Sequence, residues 1–254
     1  MDRKKLVGLS SGERMYHKIK LPINWKTKEG IILLAFLIGD GGLGFRSSMW
    51  AWAVPHYSQF RHKELIDNYA RATKKVFGIS IRKQERIELP AICGYIIVAS
   101  GYYVPGHKCY TNPSLPVTGK DSNGLIITCL NWLISDDGNF NVNHFSISGG
   151  SYYSGKEPLN YMKQLKDIID KKIKNIYTSP LFCKKGQVYN LRLGGGFFAM
   201  EALNNFFSKY NKRIFAYKKW EAFQKYLSSR HFSLAEYKKR YGKRQRKWTG
   251  KSLD

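Results

Sequence analysis

The chain has 254 residues, 43% of them apolar, and carries 43 Lys and Arg residues against 18 Asp and Glu, a formal net charge of +25. The apolar share excludes a disordered chain, and no apolar run is long enough to cross a bilayer or to form a secretory signal. A surplus of positive charge of this size opposes folding by self-repulsion unless a polyanion binds, so it indicates a nucleic acid as the partner. An anionic membrane surface and a simple solubility bias are the alternatives.

Two stretches of the chain repeat one pattern, an apolar helical run that ends in Asp-Gly. They cover residues 33–41 and 130–138. In each copy polar and aromatic residues then alternate, over residues 43–57 and 139–148, which predicts strands. A repeat of about a hundred residues is typical of a fused duplication of one domain.

Both copies continue with an amphipathic helix and further strand-like segments. Hydrophobic spacing predicts helices over residues 61–77, 158–176 and 198–210, and Pro158 suits the first turn of its helix. Alternation predicts strands over residues 79–88, 91–104 and 179–193. Residues 184–187 have the composition of a hairpin turn.

These elements divide the chain at the loop-rich residues 105–123. We expect an N-terminal extension over residues 1–29 and a first half over residues 30–118. A second half would follow over residues 119–220, and a basic C-terminal extension over residues 221–254. The last part is dense in Lys and Arg with interleaved aromatic residues. It is either a solvated charged end or an arm that contacts a polyanion.

Four cysteines occur, and their spacing gives no metal-binding signature. None belongs to a C-x-x-C pair. We expect reduced thiols in an intracellular protein, packed as small hydrophobic residues. They are Cys93, Cys109, Cys129 and Cys183.

Asp40 and Asp137 stand where each apolar helix should end, because a glycine follows each of them. A carboxylate is unfavourable at the negative end of a helix dipole unless a cation is present. Carboxylate and carbonyl oxygens are the ligands that Mg²⁺ prefers, so two such helix ends side by side would suit phosphodiester cleavage. Gly39 and Asp136 are the neighbouring candidate ligands. The alternative is that Asp-Gly is only a turn-forming pair at both places.

Helices that lie side by side need small residues where they touch. Ala35 and Gly39 lie four residues apart, on one face of the first helix. Asn131 and Ser135 have the same spacing on the second helix. We therefore expect these residues to face the partner helix.

Both Asp-Gly stretches resemble the LAGLIDADG motif, in the variants that end GDG and DDG. Residues 57–63 (YSQFRHK) resemble the strand-to-helix junction after the first motif of that family, and residues 214–219 (IFAYKK) resemble its C-terminal signature. The matches span most of residues 30–220. Trp132 departs from the pattern, because a small residue is usual there. Asp136 lies beside Asp137, so either carboxylate could face a metal.

The resemblance implies a single-chain homing endonuclease. The fold would be α+β, with two pseudo-symmetric αββαββα halves, antiparallel saddle-shaped sheets and two central motif helices. The sheets would read a long double-stranded DNA target in the major groove. Asp40 and Asp137 would bind Mg²⁺, or another divalent cation, and each would cleave one strand across the minor groove. We expect a monomer, encoded within an intron or an intein, in a mitochondrion, a chloroplast or a prokaryotic cytoplasm.

Strand side chains alternate in direction, so every second polar residue of a strand would face the DNA. Arg pairs with guanine edges, and Asn or Gln with adenine edges. Lys184, Lys185 and Lys243 are predicted phosphate contacts; Lys185 could also stabilise charge at the cut, and His56 could order a water near Asp40. The alternative is a solvated polar sheet face. The other predicted contacts are Arg46, Ser48 and Trp50 (in phase if no turn intervenes), Arg82, Gln84, Arg86, Asn139, Asn141, Asn143, Asn190 and Arg192.

Other functions are compatible with this sequence. An RNA-splicing maturase would bind intron RNA, and a DNA-binding regulator would bind its site without cleavage; two intact acidic residues favour the nuclease. Gly39, Gly41 and Gly44 also match the dinucleotide fingerprint G-x-G-x-x-G. An apolar helix precedes them where the fingerprint requires a strand, which argues against a nucleotide cofactor.

Overall fold

The computed structural model describes the chain in fourteen parts: residues 19–39, 41, 43–46, 49–52, 63–81, 89–103, 111–141, 144–150, 158–174, 176–179, 182–184, 188–194, 197–209 and 217–228. Several predicted site residues lie outside these ranges: Asp40, Ser48, His56, Arg82, Gln84, Arg86, Asn143, Lys185 and Lys243. The junction at 57–62 and the basic tail from residue 229 onward lie outside them as well.

Helices and antiparallel strands alternate along the described residues. In chain order they are α1 (Lys28–Ile38), β1 (Leu43–Arg46), β2 (Met49–Trp52), α2 (Lys63–Phe77), α3 (Ala91–Ala99), α4 (Asn123–Asp136), β3 (Gly138–Asn141), β4 (His144–Gly150), α5 (Asn160–Lys172), β5 (Tyr177–Thr178), β6 (Phe182–Lys184), β7 (Val188–Gly194), α6 (Phe197–Ser208) and α7 (Tyr217–Ser228). The predicted α+β fold is confirmed. No helix within the described ranges is long and apolar enough to span a membrane.

The two motif helices, α1 and α4, form the centre of the molecule. Thr27 begins α1, and its hydroxyl oxygen accepts the backbone N–H of Gly30 at 3.1 Å, as an N-cap side chain does. Every residue of α1 from Gly30 to Ile38 is buried, and so is α4 from Ile126 to Ser135. Helices that are apolar on all sides belong inside a core.

The second half contains an antiparallel sheet with strands in the order β3-β4-β7-β5, and β6 also pairs with β7. Strands β5 and β6 both pair with β7 and together take the place of one strand. The order of elements in the second half, from α4 to α6, is therefore αββαββα. Phe145 and Ile147 of β4 are fully buried, as are Leu191 and Leu193 of β7. Since strand side chains alternate, the residues between them form the opposite face of the sheet.

The predicted helices after the motifs are confirmed as α2, α5 and α6, each within a few residues of its expected ends. Helix α5 starts later than expected, because Leu159 holds the N-cap position and Pro158 precedes it. The backbone N–H of Asn160 is instead capped by the side-chain oxygen of Asn112, at 2.6 Å. Pro158 is therefore outside the helix and not in its first turn.

The strand predicted over residues 91–104 is wrong, because most of this segment forms helix α3. The backbone N–H of Cys93 donates to the Pro90 carbonyl at 2.9 Å, which closes the first turn. Cys93 and Ile97, four residues apart, are fully buried, whereas Tyr95 between them is 45% exposed. A continuous apolar run has no period of its own, so burial of one helical face decided the outcome.

Arg46 and Trp50 were predicted to share a face only if no turn intervenes, and this condition is not met. Strands β1 and β2 form an antiparallel pair in which Arg46 pairs with Met49 and Phe45 pairs with Trp50. The chain therefore reverses direction between Arg46 and Met49. Trp50 is in register with Phe45, the neighbour of Arg46, and adjacent residues of a strand alternate between its two faces.

Residues 111–122, which join the two halves, are hydrogen-bonded to the segment before α1 and to helix α5. The Lys26 ammonium donates to the Pro116 carbonyl and to the Asp121 carboxylate, each at 2.9 Å. The Leu115 N–H donates to the Gln164 side chain of α5 at 2.6 Å. Leu115 itself is buried, so the linker contributes to the core.

Two of the cysteines lie in the core as free thiols, as predicted. Cys93 and Cys129 are buried and form no disulfide. Burial disfavours the thiolate and raises the pKa of each to about 12. Both therefore pack as small hydrophobic side chains.

Helix α7 completes the core of the second half although it lies beyond the duplicated residues. Phe223 is fully buried, with its ring centroid 5.6 Å from that of Phe140 on β3 and 5.0 Å from that of Phe145 on β4. Gln224 donates to the Asn204 side chain of α6 at 2.9 Å. The helix thus covers β3 and joins it to α6.

We predict that Phe223→Ala lowers the free energy of unfolding by about 3–5 kcal/mol, because it empties an aromatic site in the core. Glu221→Ala, on the exposed side of the same helix, is the control and should change it by less than about 0.5 kcal/mol. Urea unfolding measures both. Equal effects of the two substitutions would show that α7 is not part of the core.

Candidate active site and nucleic-acid interface

The two motif helices meet at their C-terminal ends. Gly39 lies against Asp136: a Cβ added at residue 39 would lie 2.9 Å from the Cβ and 3.1 Å from the Cγ of Asp136. The two residues hold the same position in their motifs, two residues before the final glycine. Glycine has no Cβ, so the backbone of α1 can approach α4 this closely. The contact brings the ends of both motif helices side by side.

Asp137 ends α4 and begins the turn into the sheet. It has φ −90° and ψ −6°, and its N–H donates to the Leu133 carbonyl at 3.0 Å. Its carbonyl accepts the N–H of Ser148 on β4 at 3.3 Å. A Cβ on Gly138 would lie 2.7 Å from the Cα of Ile134, so the residue after Asp137 must be glycine for the strand to leave here.

The end of α1 is closed by a different turn. The Gly39 N–H donates to the Ala35 carbonyl at 3.0 Å, and the Gly41 N–H donates to the Phe36 carbonyl at 2.9 Å. The second bond joins residues five apart, as in the motif that commonly ends helices before a glycine. Asp40 lies between these donors in sequence and outside the described residues.

The neighbouring aspartates of the second motif lie at different places. Both side-chain oxygens of Asp136 are inaccessible to solvent, at the contact with Gly39. Asp137 is the C-terminal cap of α4. One carboxylate therefore lies between the helices, and the other residue lies at the end of its helix.

Trp132 and Asp136 of α4 contact Phe36 and Gly39 of α1. Asn131 and Ser135, the predicted contact residues, stand next to them in sequence and are buried, at 0% and 3% exposure. The small residues lie on α1, which leaves room for larger side chains on α4.

The donors at the helix ends suit a hard divalent cation in their chemistry. Carboxylate oxygens of Asp137 and Asp136, with carbonyl oxygens at the ends of two helices, are the ligand types that Mg²⁺ and Ca²⁺ take. Among the described residues, which do not include Asp40, no three His, Cys, Asp or Glu side chains form a metal cluster. The helix ends therefore suit a divalent cation in two respects: the chemical type of their oxygen donors, and the meeting of the two ends in one place.

The exposed face of the second sheet carries the predicted polar residues. Asn139 is exposed on β3, Arg192 is exposed on β7, and Asn190 is partly exposed. Asn141 pairs with His144, in register with the pair Asn139–Ser146. These residues are brought onto one face, as the alternation predicted.

The sequence analysis missed the residues of β4 on this face. They are His144, Ser146 and Ser148, and their cross-strand partners include Arg192 and Asn190. The alternation of polar and apolar residues over His144–Gly150 is the signal that could have identified them.

His144 lies beside a cation on this face. Partial burial lowers its pKa below the ordinary value, and the charge of Arg192 lowers it further. Both causes favour the neutral imidazole, in which one ring nitrogen is an acceptor and the other a donor of hydrogen bonds.

Two predicted phosphate or base contacts lie at strand ends. Lys184 ends β6 and pairs with Val188 of β7, which confirms the predicted hairpin around residues 184–187. Arg46 ends β1 in the first half. Their roles in binding stay predictions.

We predict that Arg192→Met raises the pKa of His144 without restoring its ordinary value, because burial, the larger cause, remains. Arg71→Met, which removes an exposed cation from α2, should leave this pKa unchanged. A pH titration of the imidazole protons by NMR measures both variants. A pKa that fails to rise in Arg192→Met would contradict the placement of the two side chains.

No family model and no curated protein matches this sequence. Solved structures do match. The homing endonuclease I-WcaI, bound to its DNA recognition sequence, gives a TM-score of 0.50 at 12% identity, over 86% of this chain and 97% of that one. I-DmoI in complex with DNA and Ca gives 0.46 at 13% identity, over 75% and 95%; I-DmoI with DNA and Mn gives 0.47 at 12%, over 75% and 99%. With two motif helices meeting at the centre and the αββαββα order, this chain has the fold of the single-chain, two-motif LAGLIDADG homing endonucleases.

Proposed function

We propose that this chain is a site-specific endonuclease of the homing type that cuts double-stranded DNA. It would read a long target in the major groove and hydrolyse one phosphodiester bond of each strand across the minor groove, with a divalent metal. The observation that carries the proposal is the contact of Gly39 with Asp136, because it holds the ends of both acidic motifs side by side.

Double-stranded DNA is the proposed partner. The net charge of +25 favours a polyanionic partner, and the exposed face of the second sheet offers hydrogen-bonding groups such as those of Asn190 and Arg192. I-WcaI, which shares the fold, is a homing endonuclease bound to its DNA recognition sequence. An intron RNA has no comparable support within the described residues.

Asp40 and Asp137 are the proposed metal ligands, and Mg²⁺ is the proposed ion. Asp137 is the proposed ligand of its pair, because it caps the end of α4 whereas the oxygens of Asp136 are enclosed at the helix contact. When bound, such a cation polarises a water and stabilises the charge on the scissile phosphate. His56 is proposed to orient that water, and Lys185 to stabilise charge at the cut.

We predict that Asp137→Asn and Asp40→Asn each abolish double-strand cleavage. Binding should persist or strengthen, because a negative charge near the phosphates is removed. Asp136→Asn, next to Asp137 but with its carboxylate oxygens at the helix contact, is the matched control and should have a clearly smaller effect. The measurement is linearisation, with Mg²⁺, of a plasmid that carries the uninterrupted form of the locus around the gene; a gel shift measures binding.

Three outcomes would contradict parts of this proposal. An Asn variant at residue 40 or 137 that cuts at the wild-type rate excludes that residue as a ligand. A larger loss from Asp136→Asn than from Asp137→Asn moves the site by one residue. A wild-type chain that binds the duplex specifically but never cuts it is a non-cleaving regulator.

We also predict one chain per DNA target. Both acidic motifs lie on one polypeptide, and the contact of α1 with α4 already brings their ends together, so a second copy is not needed. Sedimentation of the protein bound to one target duplex measures the stoichiometry. Two chains on each duplex would show that the active species is a dimer.

A further inference from the structure

We infer that His144 binds a backbone phosphate of the DNA target as an imidazolium, so that binding of the target takes up a proton at this side chain. This inference rests on the proposed function, because it concerns the face of the second sheet that would meet the DNA. It adds His144 to the residues that bind the target, and it makes the strength of this one contact depend on pH.

His144 begins β4 and lies on the polar face of the sheet. It pairs with Asn141 of β3 and is partly exposed, whereas the next residue, Phe145, is buried on the opposite face. Toward β7 its neighbour is Gly194, where an added Cβ would stand 3.6 Å from the Cβ of His144. Gly194 has no side chain, so β7 presents backbone at the position next to the imidazole.

The charged group recorded beside His144 on this face is a cation. Arg192 lies on β7 two residues before Gly194, opposite Ser146 of β4. Ser146 and Asn141, the neighbours of His144 on β4 and β3, are uncharged. Partial burial and the positive charge of Arg192 both disfavour the imidazolium, so the pKa of His144 in the free protein lies below its ordinary value.

A phosphate at this face reverses the balance of charge. Its negative charge offsets the repulsion between Arg192 and a protonated His144, and it favours the imidazolium directly. A charged N–H donor also makes a stronger hydrogen bond to a phosphate oxygen than a neutral donor does. An uncharged base edge gives no such gain, because the neutral imidazole already has one N–H to donate. A phosphate is therefore the DNA group that couples binding to protonation.

The direction of the pH dependence follows from the two pKa values of His144. The complex has the higher pKa, so the added binding is fully present below the pKa of the free protein. It is lost as pH rises through the pKa of the complex. Between these two values the affinity should fall by up to about tenfold per pH unit through this one group.

Two substitutions of His144 and one matched control test the inference. His144→Gln keeps a hydrogen-bonding side chain that cannot take up a proton, so it should bind more weakly at low pH and lose this part of the pH dependence. His144→Lys is positively charged throughout and should keep strong binding at high pH. Asn139→Ala, on the same face of β3, removes an exposed polar group that does not titrate, so its pH dependence should match wild type.

The measurement is the affinity of each full-length protein for a duplex of the uninterrupted locus, from about pH 5 to about pH 8, in EDTA to prevent cleavage. The difference between wild type and His144→Gln isolates His144, because the other histidines and the motif aspartates are common to both. At low pH the slope of log affinity against log salt should be steeper in wild type by about 0.9, the value for one phosphate contact. At high pH the two slopes should agree. NMR titration should show a higher pKa for His144 in the complex than in the free protein.

The outcomes separate this inference from the function on which it rests. Equal pH dependence in wild type and His144→Gln overturns the inference, and so does a pKa of His144 that is unchanged or lower in the complex. A pH-dependent difference without a difference in salt slope overturns the phosphate contact. In each of these cases a preference for the locus duplex over an unrelated duplex still supports the proposed function. A wild-type chain that binds no duplex at any pH overturns the proposed function and the inference together.

Discussion

The close approach of the two motif helices is the constraint on which the rest of the structure depends. Gly39 leaves no side chain between the ends of α1 and α4, and Asp136 fills the space opposite. Both helices are buried along their length, so a larger residue at position 39 would have no space to enter. Strand β3 leaves α4 at once, through Gly138, and the position of its sheet therefore follows from the helix end.

The two halves share the order helix, strand, strand, helix at their start (α1-β1-β2-α2 and α4-β3-β4-α5) but are not equivalent at the centre. Position 39 of the first motif is glycine, and the matching position of the second is Asp136. The second half also has helix α7 over its core, where Phe223 meets Phe140. A duplicated chain can lose symmetry in this way because contact between the halves needs complementary surfaces, not identical ones. Residues of unlike size, Gly39 and Asp136, meet where the two motifs are otherwise alike.

Strand alternation gives the sheet of the second half one apolar face and one polar face. One face carries Phe145 and Leu191 into the core, and the other carries polar side chains that contact one another. Burial and the charge of Arg192 lower the pKa of His144, and the Ser148 hydroxyl donates to the side-chain oxygen of Asn190. Neighbouring side chains on this face therefore affect one another's protonation and orientation.

Local sequence patterns were sufficient to identify the motif helices and the amphipathic helices α2, α5 and α6. They also identified which residues of β3 and β7 lie on the polar face of the sheet, because each pattern repeats within a single element. Residues 91–104 were mistaken for a strand since an apolar run without a period fits a strand or a helix, and burial of Cys93 and Ile97 on one face settled it. The burial of the Asp136 oxygens likewise depends on where α1 meets α4. The partner of Asn190 lies 42 residues earlier in the chain. Contacts of that separation arise only when strands pair, because register between strands is set by the fold and not by neighbours in sequence.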